Sequence, residues 1–139
     1  MTLPDCITIE EPSPGYPIYV INHASATARV AQHGAHVMDW TPAGQTQPVL
    51  YMSPDALLEH GKPIRGGIPI CWPWFGGHPT ATDMPMHGFA RILPWELVRA
   101  DASENHVAML FKLESSAATE ALWQQKFRCH LGISIGAAL

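Results

Sequence analysis

The chain has 139 residues, of which 47% are hydrophobic and only 14% charged, and its formal net charge is −4. Such a composition excludes pervasive disorder, which needs a polar and charged chain. Eight scattered Lys and Arg exclude a general nucleic-acid binder, which needs a basic patch.

The length suits one domain, residues 1–139, with a core of its own. The opening MTLPDCITIEEPSPGYP has neither a basic nor an apolar signal region. No stretch approaches the roughly 18 apolar residues of a membrane span. The three cysteines, Cys6, Cys71 and Cys129, are odd in number and far apart, which argues against a disulfide framework. The expectation is a cytoplasmic protein with no membrane partner.

Thirteen prolines and eleven glycines punctuate short strand-like runs. YPIYVINH (16–23) is rich in β-branched and aromatic residues and predicts a strand. ATARVAQHGAHVMDW (26–40) predicts two strands around Gly34, with TPAGQTQ (41–47) as the turn that follows. PVLYMS (48–53) predicts another short strand. PDALLEHGK (54–62) predicts a turn or two of helix, with Ser53 as N-cap, Pro54 at the first position and Gly61 as the stop. Residues 61–91 are loop-like.

PWELVRADAS (94–103) and NHVAMLFKLESS (105–116) predict a hairpin. Val107, Met109, Phe111 and Leu113 recur with the period of two that buries one face of a strand. AATEALWQQKF (117–127) predicts a short helical insertion, and FRCHLGISIGAAL (127–139) a final strand. Together these elements predict a mostly β fold, an antiparallel β sandwich.

His33 and His36 form an H-x-x-H pair, but on extended chain residues i and i+3 point to opposite faces, so no metal site is expected. The glycine pairs fit neither the phosphate-loop nor the dinucleotide pattern. Asp39, Asp55, Glu59, Asp83 and Glu96 read as solvated acids, and Cys71 as a small buried hydrophobe. Arg65 and Arg91 stand apart. Each lies in a glycine- and aromatic-rich loop, where a guanidinium suits a bidentate hold on phosphate or carboxylate. Trp72, Trp74 and Phe75 could supply an apolar floor for a sugar ring; the alternative is that these aromatics are core and the two arginines pair with acids.

IRGGIPICWPWFGGHP (64–79), followed by MPMHGFAR (84–91) and PWEL (94–97), resembles the hexose-6-phosphate mutarotases, a branch of the aldose 1-epimerase superfamily. Residues 34–67 resemble the N-terminal strands of that family, and the likeness runs from about Tyr16 onward.

The resemblance implies a galactose-mutarotase-like supersandwich, here reduced to its N-terminal half. It implies interconversion of the α and β anomers of a hexose 6-phosphate, with no metal and no organic cofactor. Arg65 and Arg91 match the arginines that hold the phosphate, and His87 would line the pocket. Met86 replaces a residue that is often polar in the family. The family's acid, a histidine, and its base, a glutamate, belong to segments beyond Leu139, so no residue here is assigned a catalytic role. The resemblance therefore implies a chain inactive or nearly so by itself, with open strand edges and one bare apolar sheet face through which it would self-associate. The alternatives are a non-catalytic sugar-phosphate binding module and an assembly role through that half-sheet.

Overall fold

A computed structural model describes all 139 residues. Four strands, β1 (Ile7–Glu10), β2 (Ile18–His23), β3 (Ala26–Ala31) and β4 (His36–Pro42), pair antiparallel in the order β1-β2-β3-β4. Three more, β5 (Glu96–Ala102), β6 (His106–Glu114) and β7 (Arg128–Gly136), form a second antiparallel sheet in the order β5-β6-β7. One short helix, α1 (Ala117–Leu122), interrupts the second sheet between β6 and β7.

The two sheets pack face to face, with β2 against β6 and β3 against β7. The alternation in β6 decides which side faces in: Val107, Met109, Phe111 and Leu113 are buried as their spacing predicts. Across the gap the Tyr19 ring meets Phe111 edge-on at 6.0 Å. One hydrophobic cluster runs from Ile7 and Val30 in the first sheet to Ile133 and Ile135 in the second. The inner faces therefore cover each other, and neither is left open as the half-sandwich expectation required. The outer edges of β1, β5 and β7 carry no further strand, whereas β4 accepts loop bonds on its outer edge, from the Ile68 N–H at Val37 and the Val49 N–H at Trp40.

The first sheet is also covered on its outer side. Tyr16, Ile18, Ala31, Met38 and Ile64 form a second small core there, with Met52 and Leu58 packed on it. Double coverage explains why YPIYVINH alternates only loosely: Ile18 and Tyr19 face opposite ways, yet both are buried.

Three expectations of local structure are corrected. Residues 48–53 are not a strand. They make one bridge, Met52 with Gly66, and leave Val49 and Tyr51 exposed, because the facing segment is too rich in proline and glycine to extend a ladder. Residues 54–62 are not helical. Their backbone bonds, Ala56 N–H to Ser53 and Lys62 N–H to Glu59, close separate turns. The apolar residues Ala56, Leu57 and Leu58 are contiguous rather than spaced along one helical face. Finally, Ile7–Glu10 forms a strand, β1, outside the predicted set.

The helix α1 starts where a reciprocal cap forms. The Ser116 N–H donates to Thr119 Oγ1 at 2.8 Å, and the Thr119 N–H donates to Ser116 Oγ at 3.3 Å. The sheets are also tied at their open side. The Trp40 Nε1–H on β4 donates to the Gly136 carbonyl at the end of β7, at 3.0 Å. Trp40→Phe keeps most of the packing but removes this donor, and is expected to cost about 1 kcal/mol in urea unfolding. An unchanged midpoint would show that the tie adds nothing.

Candidate functional site

The RGG segment is pinned by its backbone. The Arg65 carbonyl accepts from the Ser53 N–H at 3.0 Å, the Gly67 N–H donates to Tyr51 at 2.7 Å, and the Ile68 N–H donates to Val37 on β4 at 2.9 Å. Gly67 has φ +61°, and a Cβ there would lie 2.1 Å from the Val37 carbonyl oxygen. Only glycine lets this loop lie so close to the strand. The Arg65 side chain, held on that backbone, is exposed and makes no ion pair or hydrogen bond within the chain.

The HGFAR segment is pinned to the tryptophan loop. The Phe89 and Ala90 N–H groups both donate to the Trp72 carbonyl, at 3.0 and 3.1 Å. Gly88 has φ +72°, and a Cβ there would sit 2.1 Å from the same oxygen. His87 also adopts a positive φ, +63°. Its N–H donates to the Gly76 carbonyl at 2.8 Å, and its ring Nδ1 accepts from the Gly76 N–H at 2.8 Å. Nδ1 is thus an acceptor, which places the neutral ring's proton on Nε2. Arg91 sits in a single 3-10 turn, Ala90–Ile92. Its Nη2 donates to the Met86 carbonyl at 3.0 Å, while its Nε is buried and has no partner in the chain.

The tryptophans brace these loops. Fully buried Phe89 is met edge-on by Trp72 at 5.9 Å and Trp74 at 6.1 Å, and it stacks with Phe127 at 5.8 Å. The Trp74 Nε1–H donates to the Pro85 carbonyl at 2.9 Å. Phe75 behaves differently: it is 80% exposed, with its ring 4.7 Å from that of His87.

Charge pairing separates the arginines. Arg29 pairs with Asp39, Arg99 with Asp101 and Arg128 with Glu114. Glu59 and Glu96 are also taken, by Lys62 and Lys112. Of the five arginines, the two left without a carboxylate are Arg65 and Arg91. No surface concavity of the chain is lined by Arg65, His87 or Arg91. Arg65 is presented on open surface, whereas Arg91 is half-buried.

The histidine pair is a correction. Gly34 (φ +77°) and Ala35 (φ +44°) turn the chain between His33 and His36, so the strand rule for i and i+3 does not apply. Both rings reach the same loop. Nε2 of His33 lies 2.8 Å from the Lys62 carbonyl, and Nε2 of His36 lies 2.6 Å from the Gly66 carbonyl. Gly34 was the visible signal of a turn, but nothing marked Ala35 as left-handed. Burial holds both imidazoles below the usual histidine range. For His36, the nearby charges of His33 and Arg91 add to that effect. No three His, Cys, Asp or Glu side chains cluster closely enough to hold a metal ion. Cys71 is a free, half-buried thiol.

Residues 17–139 match the family pattern described as aldose 1-epimerase. The chain belongs to the aldose 1-epimerase family. Among its relatives is a Salmonella typhimurium protein with a proposed glucose-6-phosphate 1-epimerase assignment, 40% identical over 120 residues, or 86% of this chain and 40% of that one. An Escherichia coli protein with the same proposed assignment is 41% identical over 111 residues, or 79% of this chain and 37% of that one. A solved structure of a proposed mutarotase from Salmonella typhimurium superposes with a TM-score of 0.91 at 35% identity. That superposition covers 97% of this chain and 45% of the other. This aldose 1-epimerase family member therefore spans about two fifths of the curated relatives it matches. Its two antiparallel sheets have the fold of the matched portion of the mutarotase. No helix in it is long and apolar enough to cross a membrane.

Proposed function

We propose that this chain carries the sugar-phosphate-binding part of a hexose-6-phosphate 1-epimerase, with residues 1–139 acting as one domain portion of a longer sandwich. The observation that carries the reading is charge pairing: the two arginines without a carboxylate are the two in the IRGG and HGFAR segments. Arg65 and Arg91 hold the phosphate. His87 also contacts the substrate, with Nε2–H as its free donor because Nδ1 is engaged.

The reaction needs only proton transfers. A base takes the anomeric hydroxyl proton, an acid protonates the ring oxygen, the open-chain aldehyde turns about C1–C2, and reclosure gives the other anomer. No metal or organic cofactor enters. The acid and the base are assigned to no residue of these 139, so the chain alone is inactive or nearly so. A cytoplasmic location fits the free thiols of Cys6, Cys71 and Cys129. The open edges of β1, β5 and β7 are where another strand, or a second copy, would pair.

Binding and catalysis are tested separately. A charge-assisted hydrogen bond contributes about 1.5–3 kcal/mol. Arg65→Ala and Arg91→Ala are each expected to weaken glucose 6-phosphate binding roughly 10- to 150-fold in an NMR titration, with unphosphorylated glucose as control. Unchanged affinity in both variants would sink the phosphate assignment. Polarimetry of fresh α-glucose 6-phosphate should give close to the buffer rate. A much faster rate that vanishes in His87→Ala or Glu96→Gln would place the chemistry within this chain after all.

A further inference from the structure

The H-x-x-H pair has no part in the function proposed above, yet it is among the most buried polar features of the chain. His33 is 2% exposed and His36 0%. Both use Nε2 toward a backbone carbonyl, and a carbonyl can only accept. Both rings therefore carry their proton on Nε2, and both leave Nδ1 buried with no partner in the chain. The two carbonyls, Lys62 and Gly66, bracket Arg65. The Arg91 backbone lies against the same turn: a Cβ on Gly34 would be 2.9 Å from the Arg91 carbonyl oxygen, and the Gly34 N–H donates to Leu93 at 2.8 Å.

We infer that His33 and His36 are positioning residues: a two-point clamp that fixes the Lys62–Gly66 segment and so aims Arg65, alongside Arg91, at an anionic ligand. The inference rests on the reading of Arg65 and Arg91 as phosphate binders and adds the residues through which they are held. A flexible arginine loses side-chain and loop entropy on binding, and a loop fixed beforehand avoids that loss.

The clamp also carries a pH dependence of definite sign. The groups around the pair are the rings of Tyr16 and His60, the Lys62 backbone and the Arg91 cation. Glu59 is on the same loop but pairs with Lys62, both about half exposed. Burial raises the Tyr16 phenol to about 12, so it stays neutral throughout. A proton added at either Nδ1 would be a buried donor without an acceptor, and at His36 it would be near Arg91. The clamped state thus binds protons less readily than the open state. Clamping is complete above the open-state histidine value, about 6.5, and weakens as pH falls below it.

The test uses the 139-residue chain and glucose 6-phosphate at pH 7.5, read by NMR titration. His36→Leu removes the donor and is expected to weaken binding about tenfold, or about 1.4 kcal/mol. His36→Gln restores an amide donor and should stay within about threefold of wild type. Sugar phosphate itself titrates near pH 6, so the pH arm compares variants. Between pH 7.5 and 5.5 the wild type should lose more affinity than His36→Gln. If Arg65→Ala weakens binding while His36→Leu does not, the clamp is overturned and the phosphate reading survives. If Arg65→Ala changes nothing, or the wild type shows no saturable binding, the phosphate reading falls and takes the clamp with it. Should His36→Leu fail to fold, ¹H–¹⁵N spectra of the wild-type imidazoles decide. Protonated Nε2 with bare Nδ1 on both rings supports the clamp, and an Nδ1–H tautomer on either one refutes it.

Discussion

Gly67→Ala is expected to lose at least about 3 kcal/mol of stability and to displace the RGG loop. Two costs add. An L-residue held at φ +61° is strained by about 1–3 kcal/mol. The new methyl group would also lie 2.1 Å from the Val37 carbonyl oxygen. Relieving that overlap means breaking the neighbouring bond from the Ile68 N–H to Val37. Total stability for a domain of this size is about 5–15 kcal/mol, so a substantial fraction would go. Gly77→Ala is the matched control, because nothing lies within 4 Å of its added methyl and its φ is not left-handed. It should stay within about 0.5 kcal/mol of wild type. Equal urea midpoints for the two variants would disprove the close approach of loop and strand. A ligand titration on Gly67→Ala should also show weaker glucose 6-phosphate binding, since Arg65 rides on this backbone.

Phe111→Ala is the second large effect. Phe111 is fully buried, stands opposite Leu97 and Leu131 in the register of its own sheet, and meets Tyr19 of the other sheet. Truncating a buried Phe typically costs about 3–5 kcal/mol, because the transfer term is lost and a cavity remains. The loss should appear as one cooperative transition at lower urea, since the two sheets share a single core. Separate transitions for the two sheets would show that the core does not couple them. Val98→Ala, on the same sheet but 39% exposed, should shift the midpoint little.

Both predictions act on links between elements, and those links were the least legible part of the sequence. Period-two spacing in VAMLFKL announced β6 and its inward face. Turn residues and β-branched runs announced β2 to β5 and β7. The motif segments announced Arg65, His87 and Arg91, whose proposed roles follow from the resemblance. Residues 48–62 form neither the predicted strand nor the predicted helix, because local propensity is the only signal there. Neither a strand nor a helix forms without a partner to extend a ladder or an apolar stripe to bury.

The sequence by itself determined the fold class and which arginines to watch, since both follow from near-neighbour patterns: alternation along a strand, and glycine beside a cation. Only the tertiary structure decided which charges are neutralised. Arg29 and Asp39 are paired through the β3–β4 register, ten residues apart, and no spacing rule would leave Arg65 and Arg91 as the unpaired two. It also decided what the histidines do. A left-handed Ala35, held by the fold around it, turns His33 and His36 onto one loop from opposite sides of a would-be strand. Backbone dihedrals at a turn are set by what packs against it, and that information is spread over residues 34, 62, 66 and 91 rather than written at any one of them.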